Sequence, residues 1–330
     1  MNKFVLSVTA AAMATVLAAP AVQSAEVKLK SISAWPKNFP LNGDFFRFIK
    51  HANEQGKGEF HIRHIGGPEI SKAPAQSKGF KSGLYDLMYT AASYHRGVVP
   101  EVDALSGTQV KPWDARKAGG MDAFDKAVTK RIDGVFLAQF ATSVSFNLYL
   151  AKKPTIDANG MISLKGFKMR SVPLYDAFLK SLGATTVTVQ VPEIYNALER
   201  GLVNGFAFPG MFTRKFGWAK FIKYRVYPSF YQLEPGIFMS NKALKKLSPK
   251  GRALIRKLGR EWERTSYNYW KPLVAKERDI LAKKYGQKEI TLNAAAAKKY
   301  LKLANETPVQ RLKKVGTPEA KILSRVFHGQ

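Results

Sequence analysis

The chain has 330 residues, and its 53 Lys and Arg outnumber its 24 Asp and Glu, which gives a formal net charge of +29. Its apolar share of 45% is ample for packed cores, so disorder is excluded for most of the chain, and a chain of this length usually forms two domains. Because there is no Cys, disulfides, thiolate metal sites and a cysteine nucleophile are excluded.

The first 25 residues are typical of a secretory signal peptide. Lys3 is followed by a charge-free run rich in Ala, and small residues precede Ala25 as they do at cleavage sites. A membrane anchor is the alternative, but the run is only weakly apolar and contains Thr and Pro, whereas spanning helices are richer in Leu and Ile. We therefore expect an exported protein whose mature chain begins at Glu26.

Strands and helices alternate after this segment. We expect strands at 27–33, 59–65, 85–89 and 134–140, with helices at 42–54, 73–82 and 117–131 between them. Such alternation indicates a mostly parallel sheet whose two faces are covered by helices.

A second unit of the same kind begins near Leu150. The pattern predicts strands at 166–170, 185–190 and 204–208, helices at 175–182 and 192–200, and an apolar return at 230–240. Apolar residues at spacings of three and four then predict a long helix at 249–285. Pro272 removes a backbone donor inside this helix and predicts a kink near Asn268.

The order of these elements implies that the chain crosses between the two units more than once. The predicted fold class is therefore α/β, with two interleaved domains. We expect domain I to contain 26–149 and about 236–265, and domain II to contain 150–235 and about 286–330. The helix at about 249–285 should connect and span both.

The large positive charge suggests nucleic-acid binding, because Lys and Arg neutralise phosphates. Export argues against this hypothesis. The basic residues between Lys242 and Gly286 also alternate with core-spaced apolar residues, which is typical of a solvated helix face. We therefore expect no nucleic-acid partner. Binding of nucleic acid that weakens steeply as the salt concentration rises would instead favour a nucleic-acid-binding protein.

The sequence motifs of several common catalytic sites are absent. There is no G-x-S-x-G elbow, phosphate loop, G-x-G-x-x-G or H-E-x-x-H. His61 and His64 are three apart in a strand and face opposite sides, which argues against a shared metal ion. No cofactor is expected. An exported enzyme that uses Arg170 for binding and Glu69 or Glu193 as a base is an alternative, although no nucleophile with an orienting partner can be named.

Arg170 stands at the carboxyl end of the strand that opens the second unit. Open α/β sheets bind ligands at the carboxyl ends of their strands. A planar guanidinium at such a position can hold a carboxylate through two hydrogen bonds. Taken alone, the residue could equally form a surface ion pair.

Six segments, in this order, resemble the DctP-like solute-binding proteins of tripartite ATP-independent periplasmic (TRAP) transporters. They are 65–69 (IGGPE), 81–87 (KSGLYDL), 99–101 (VPE), 164–170 (LKGFKMR), 192–205 (PEIYNALERGLVNG) and 239–249 (MSNKALKKLSP). The resemblance implies a periplasmic binding protein, not an enzyme, with two domains that close about a hinge of two crossing strands and a long helix. It further implies an organic-acid ligand, delivery to membrane-embedded TRAP permease subunits, and a carboxylate clamp at Arg170.

Departures from the family's sialic-acid-binding branch bear on the ligand. Phe208 and Ala91 stand where that branch has polar or acidic residues, so the hydroxyls of a sugar acid would lack partners. Aromatic residues suggest instead a pocket with apolar walls and one charged end. We expect a monocarboxylate with an apolar or aromatic body; a dicarboxylate, a 2-oxo acid and a sugar acid are the alternatives. The candidate ligand-binding residues are Arg170, Phe208, Trp35, Tyr89, Thr90, Glu69 and Tyr231.

Some members of the family hold a cation beside the acid through a Glu in a Trp-Trp-Glu-Pro-like segment. The segment 231–236 (YQLEPG) matches this motif only in part. Glu234 is the candidate ligand if a cation binds, but we expect no metal ion.

Overall fold

Residues 25–330 are described by a computed structural model, so the signal peptide expected at 1–25 lies, apart from Ala25, outside the described residues. The strands are β1 (Val27–Ser33), β2 (Phe60–Gly66), β3 (Leu87–Ala91), β4 (Gly134–Gln139), β5 (Phe146–Leu150), β6 (Thr155–Ile156), β7 (Ile162–Ser163), β8 (Lys168–Ser171), β9 (Thr185–Thr188), β10 (Gly205–Pro209), β11 (Tyr224–Tyr227), β12 (Pro235–Ser240) and β13 (Lys288–Thr291). The α-helices are α1 (Pro40–Gln55), α2 (Gln76–Ser82), α3 (Pro112–Lys117), α4 (Gly120–Ile132), α5 (Asp176–Ser181), α6 (Ile194–Glu199), α7 (Asn241–Lys246), α8 (Pro249–Tyr285), α9 (Ala294–Val315) and α10 (Pro318–His328).

The first sheet has the strand order β2-β1-β3-β12-β4. Its strands β1, β2 and β3 are parallel, and β12 is antiparallel to β3 and β4. Apolar residues fill both faces of β1, since Leu29 and Ile32 belong to different core clusters. Because β1 and β3 are parallel, their carboxyl ends lie at one edge of this sheet.

The second sheet has the order β13-β11-β5-β10-β8-β9. Here β8 is parallel to β9 and β10, whereas β5 is antiparallel to β10 and β11. The carboxyl ends of β8, β9 and β10 therefore share one edge. The predicted α/β class with two sheets is confirmed.

The chain passes between the sheets through 140–145, again through 228–234, and a third time through α8, because β12 belongs to the first sheet and β13 to the second. These crossings are the interleaving that the order of elements predicted. The predicted domain boundary at 149 differs from the strand pairing, because β5 already belongs to the second sheet.

The last helix also differs from the predicted division, which assigned 286–330 to domain II. The Tyr300 ring in α9 packs on Phe178 of the second domain with centroids 5.0 Å apart. In α10, however, Leu323 and Phe327 belong to a core cluster with Phe124 of the first domain. The amphipathic pattern shows which face of a helix is apolar but not which domain covers that face.

The long helix α8 has the predicted bounds. Ser248 caps its amino end by accepting a hydrogen bond from the Gly251 N–H, and Gly286 ends it in the left-handed region at φ 63°. Helical hydrogen bonding continues past Pro272. The kink near Asn268 stays a prediction.

The helix that was predicted at 117–131 begins only at Gly120, because a glycine separates it from the preceding helix α3. Gly119 has φ 77° and ends α3, after which α4 begins at Gly120. A side chain at position 119 would be strained in this left-handed conformation, so the two glycines mark a turn that the apolar spacing alone did not show.

Asp44 of α1 fastens α8 to the first domain. Its carboxylate accepts hydrogen bonds from the Trp262 and Trp270 indoles at 3.1 and 2.8 Å, and from the Ser266 hydroxyl at 2.5 Å. These three donors are four residues apart and share one face of the helix. A single buried carboxylate thus joins two turns of α8 to α1.

Ala141 lies in the first crossing segment and has a left-handed backbone with φ 53°. Its N–H donates to Ser266 Oγ at 2.8 Å, and that hydroxyl in turn donates to Asp44. Non-glycine residues rarely adopt this conformation, which costs about 1 to 2 kcal/mol. The crossing segment is therefore held against α8 in a strained form.

None of the helices within residues 25–330 is both long and apolar enough to span a lipid bilayer.

Candidate functional site

Arg170 lies at the carboxyl end of β8, beside Phe206 of β10 and Val187 of β9. Its Nε donates to the Val189 carbonyl at 2.8 Å, and its Nη1 donates to the Tyr175 hydroxyl at 2.6 Å. The Tyr175 hydroxyl donates in turn to the Ala207 carbonyl at 2.8 Å. The guanidinium is thus held from two sides by groups at the ends of neighbouring strands.

The Arg170 side chain is buried without a counter-charge. Arg170 is only 3% exposed, and no acidic side chain of residues 25–330 comes within 4.0 Å of its nitrogens. Arg225 is equally buried but is paired with Glu289 at 3.5 Å. An unpaired buried charge is costly, which makes Arg170 the candidate residue for binding an anion. The alternative of a surface ion pair does not fit this geometry.

An aromatic cluster covers the cleft from both domains. Trp35 follows β1 and stacks on Phe39, with centroids 5.6 Å apart. Phe39 in turn contacts Phe212 and Phe216 of the second domain at 5.9 and 6.2 Å. Phe208, predicted from the sequence, lies within 6.4 Å of both Phe212 and Phe216. We call these five residues the aromatic wall.

The sequence had indicated only Trp35 and Phe208 of this wall. Phe39, Phe212 and Phe216 lie in the loops that follow β1 and β10. Their position just after the carboxyl ends of parallel strands could have indicated these aromatic residues as part of a site. The sequence does not show, however, which loops face each other.

Tyr94 is a further residue that the sequence reasoning did not place in the site. It follows β3, and its ring centroid lies 6.2 Å from that of Trp35. Burial raises the pKa of its hydroxyl, a hydrogen bond from Trp35 and the charge of Arg170 lower it, and the charge of Glu234 raises it. The hydroxyl is thus desolvated, although the residue as a whole is 43% exposed.

Tyr89 and Thr90 support the wall from behind. The Tyr89 ring stacks on Phe45 at 4.4 Å and meets the Trp35 ring edge-on at 5.3 Å. The Tyr89 hydroxyl donates to the Leu41 carbonyl at 3.2 Å. Thr90 Oγ1 and His95 Nε2 form a hydrogen bond of 3.0 Å. Both side chains are fully buried and already have partners.

Tyr231 and Glu69 make contacts away from Arg170. The Tyr231 hydroxyl donates to the Ala304 carbonyl of α9 at 2.5 Å, and its residue is 1% exposed. Glu69 is exposed and accepts from the Gly67 N–H at 2.6 Å, and backbone hydrogen bonds lower the pKa of this carboxyl. Tyr231 therefore acts as a core residue here, and Glu69 orders the loop after β2.

Glu234 immediately precedes β12 and lies beside the end of β3. Its carbonyl accepts from the Ala92 N–H at 3.3 Å, and its Oε1 accepts from the Ser93 N–H at 3.3 Å. Glu234 is 4% exposed, and burial raises the pKa of the carboxyl. Residues 25–330 contain no group of three or more His, Asp and Glu side chains that could hold a metal ion.

A cavity of about 390 Å³ lies next to the aromatic wall but apart from Arg170. It shares Phe212 with the wall and is also lined by Pro40, Met211, Trp270 and the ion pair of Arg214 with Glu277. Its arginine is already neutralised by that ion pair. The unpaired charge of Arg170 makes the cleft, rather than this cavity, the candidate ligand site.

Comparison with known proteins agrees with this architecture. Residues 156–312 match the family model DctP, described as bacterial extracellular solute-binding protein, family 7. A protein of Albidiferax ferrireducens described as a solute-binding protein is 23% identical over 300 residues, which cover 84% of this chain and 85% of that protein.

Two solved structures share the fold. A TRAP periplasmic solute-binding protein of Sulfitobacter with bound β-D-galacturonate is 16% identical, covers 92% of this chain and all of its own, and has a TM-score of 0.72. A marine metagenome TRAP protein specific for aromatic acid ligands, with 3-hydroxybenzoate, is 20% identical, covers 92% of this chain and 97% of its own, and has a TM-score of 0.69. The chain thus has the fold of these TRAP solute-binding proteins, and its residues 156–312 match the DctP family model.

Proposed function

We propose that this protein is an exported, periplasmic receptor that captures an organic acid with an apolar or aromatic body and delivers it to membrane-embedded TRAP permease subunits. The observation that carries the proposal is Arg170, which is buried, fixed in orientation and without an acidic partner among residues 25–330. The charge-free, Ala-rich run that follows Lys3 supports export.

Arg170 suits a carboxylate because its guanidinium has donors to spare. An arginine has five N–H groups, and the contacts to Val189 and Tyr175 use two of them. A carboxylate in this cleft would accept charge-assisted hydrogen bonds in surroundings that exclude water. Because Val189 and Tyr175 already fix the guanidinium, little ordering entropy is lost on binding.

The aromatic wall favours an apolar body on the ligand. Trp35, Phe208 and Phe212 are each less than a tenth exposed, and a ring placed among them would gain from stacking and burial. The hydroxyls of a sugar acid would instead lose hydrogen bonds against these rings. Fold relatives bind both a uronate and an aromatic acid, and the wall supports the second kind here.

An enzymatic function has little support from the arrangement. Glu193, one base considered from the sequence, is exposed and accepts from the Gln190 N–H at 3.2 Å in a capping box. Glu69, the other, is bound to its own loop. The family and its fold relatives are solute-binding proteins of transport systems.

A thermal-shift screen of a few dozen organic acids tests the proposal, because a ligand that binds only the folded state raises its melting temperature. Arg170→Ala should lose on the order of 2 to 5 kcal/mol of binding free energy, or roughly thirtyfold to several thousandfold in Kd at about 1.4 kcal/mol per decade. Arg170→Lys should recover little, since an ammonium cannot reproduce the planar fork.

Lys165→Ala is the matched control, because it removes an exposed cation from the same domain. It should leave Kd unchanged within about threefold, as expected for a screened surface charge. If Arg170→Ala bound the acid as tightly as this control, the carboxylate would have to bind elsewhere, with Lys152 or Lys153 next to be tested.

A further inference from the structure

The cleft contains a second buried charge that the carboxylate clamp does not use. Glu234 is 4% exposed, and no Lys or Arg side chain of residues 25–330 lies within 4.0 Å of its carboxylate. One hydrogen bond of 3.3 Å from the Ser93 N–H reaches its Oε1. An ionised carboxylate offers about four acceptor positions, and the hydrogen bonds from Ser93 and from its own backbone that lower the pKa of Glu234 leave room for a further donor.

Glu234 and Arg170 lie at the edges where the two sheets approach each other. Glu234 sits beside the end of β3, next to Pro235, which pairs with Ala91, and Arg170 is at the end of β8. Tyr94 follows β3 in the same loop as Ser93, and both charges act on its hydroxyl, Arg170 lowering its pKa and Glu234 raising it. The cleft therefore holds a cation and an anion, and no oppositely charged side chain of residues 25–330 lies within 4.0 Å of either, although the charge of Arg96 lowers the pKa of Glu234.

A ligand with a carboxylate alone would satisfy only half of this arrangement. Such a ligand would pair with Arg170 but bring a second negative charge toward Glu234. The Glu234 carboxylate would then be buried with an acceptor position unfilled, which is unfavourable. A ligand that also carries an O–H or N–H group would donate to Glu234 and satisfy both ends.

We propose, on the basis of the function proposed above, that the ligand carries a hydrogen-bond donor opposite its carboxylate and that Glu234 accepts from this donor. A hydroxy-substituted aromatic acid fits the three features together, with its carboxylate on Arg170, its ring at the aromatic wall and its hydroxyl at Glu234. Glu234 is thus a specificity-determining residue.

A bound cation is the competing role for Glu234. A metal ion would need several oxygen ligands, and the described residues form no group of three or more His, Asp and Glu side chains that could hold one. A single carboxylate is, in contrast, sufficient to accept from one hydroxyl.

The test compares ligands that differ only in the donor. Calorimetric titration would use benzoate, its 2-, 3- and 4-hydroxy derivatives and the matching methoxy acids, which keep the oxygen but lack the O–H. The wild-type protein should bind one hydroxy isomer at least tenfold more tightly than benzoate and than its own methyl ether. In Glu234→Leu this preference should fall below about threefold, while the Kd for benzoate stays within about threefold of wild type.

Two further variants make the result decisive. Glu234→Gln is isosteric and keeps a neutral acceptor, so its preference for the hydroxy acid over benzoate should lie between those of wild type and Glu234→Leu. If Glu234→Leu has a much lower melting temperature than wild type, Glu234→Gln takes its place in the test. Glu193→Gln removes an exposed carboxylate and should behave as wild type.

The inference is overturned if the hydroxyl preference persists in Glu234→Leu, or if wild type prefers the unsubstituted acids. It is also overturned if all acids lose affinity equally in that variant and wild-type binding requires added Na⁺ or Ca²⁺, since Glu234 would then hold a cation. Failure of the proposed receptor function gives a different pattern, in which Arg170→Ala binds every acid as tightly as wild type.

Discussion

The orientation of Arg170 depends on Tyr175, which accepts from the guanidinium and passes a hydrogen bond on to the Ala207 carbonyl. Burial raises the pKa of the Tyr175 hydroxyl, and the charge of Arg170 lowers it. The hydroxyl therefore stays protonated at neutral pH and can donate to Ala207 while it accepts from Arg170. This second role makes Tyr175 a positioning residue for the carboxylate clamp.

Tyr175→Phe should weaken acid binding by about 10- to 150-fold, because a hydrogen bond to a charged group is worth about 1.5 to 3 kcal/mol. Tyr300→Phe is the matched control, since the Tyr300 hydroxyl is buried and has no hydrogen-bond partner among residues 25–330. Calorimetry of both variants with one acid measures the difference. Equal affinities of the two variants would show that Tyr175 does not position the guanidinium.

The sequence could indicate Arg170, because a charged residue at the end of an apolar strand is visible in the pattern. It could not indicate Tyr175 or Tyr94, whose roles depend on how loops fold back onto strand ends. Tyr231, in contrast, was proposed for the pocket wall from the sequence. Its hydroxyl donates a hydrogen bond to α9, about 70 residues later in the chain, and the sequence does not show this contact.

Helix α8 is the element that both domains share, and it carries a buried acid at the start of the first crossing segment. Glu263 is 1% exposed, pairs with Arg116 at 2.7 Å and accepts from the Gln139 N–H at 3.4 Å. Burial raises the pKa of Glu263 from 4.5 to about 7, although Arg116 and the Gln139 N–H lower it. Protonation of Glu263 therefore affects its hydrogen bond with the Gln139 N–H at the end of β4.

The raised pKa gives the stability a definite pH dependence. The folded protein holds the Glu263 proton more tightly than the unfolded chain does, so this group should lower the free energy of unfolding as pH rises from about 4.5 to about 7. The loss should reach up to about 3 kcal/mol above pH 7, at 1.36 kcal/mol per pKa unit. Urea denaturation of wild type and Glu263→Gln between pH 5 and 8 measures it, because the variant should lack this decline.

Glu261→Gln on the same helix is the control for charge, since Glu261 is well exposed. Its pH profile should follow that of wild type. Parallel profiles for wild type and Glu263→Gln would instead mean that Glu263 keeps an ordinary pKa in the folded protein.

At the level of elements, long periodic patterns were predicted well and short or partner-dependent ones were not. The spacing of apolar residues over ten helical turns was enough to define α8. The division of α3 from α4 required a left-handed glycine, and the packing of α10 on the first domain required knowledge of which apolar faces remain uncovered there.

The whole molecule has its two domains in contact across the mouth of the cleft. Phe39 of the first domain meets Phe212 and Phe216 of the second, so this is a closed arrangement of the aromatic wall. A buried Arg170 without an anion disfavours this arrangement until a carboxylate binds. Ligand binding and closure should therefore occur together.

Small-angle scattering should show a larger radius of gyration without ligand than with saturating acid. Phe39→Ala should shift the bound protein toward the open form and weaken binding, because aromatic pairs contribute about 0.5 to 1.5 kcal/mol beyond burial. Ile156→Ala, which shortens an exposed apolar side chain distant from the wall, serves as the control. The same radius with and without ligand would contradict hinge closure.

The left-handed Ala141 has a consequence for how affinity can change. Because only the closed form holds the ligand from both sides, the measured Kd equals the intrinsic Kd divided by the fraction of closed molecules. Any residue that shifts this fraction therefore alters affinity by the same factor, without touching the ligand. The crossing segment at Ala141, tied through Ser266 to Asp44, is such a place. Selection could tune the receptor to scarcer or more abundant acids there, while Arg170 and the aromatic wall continue to define what is recognised.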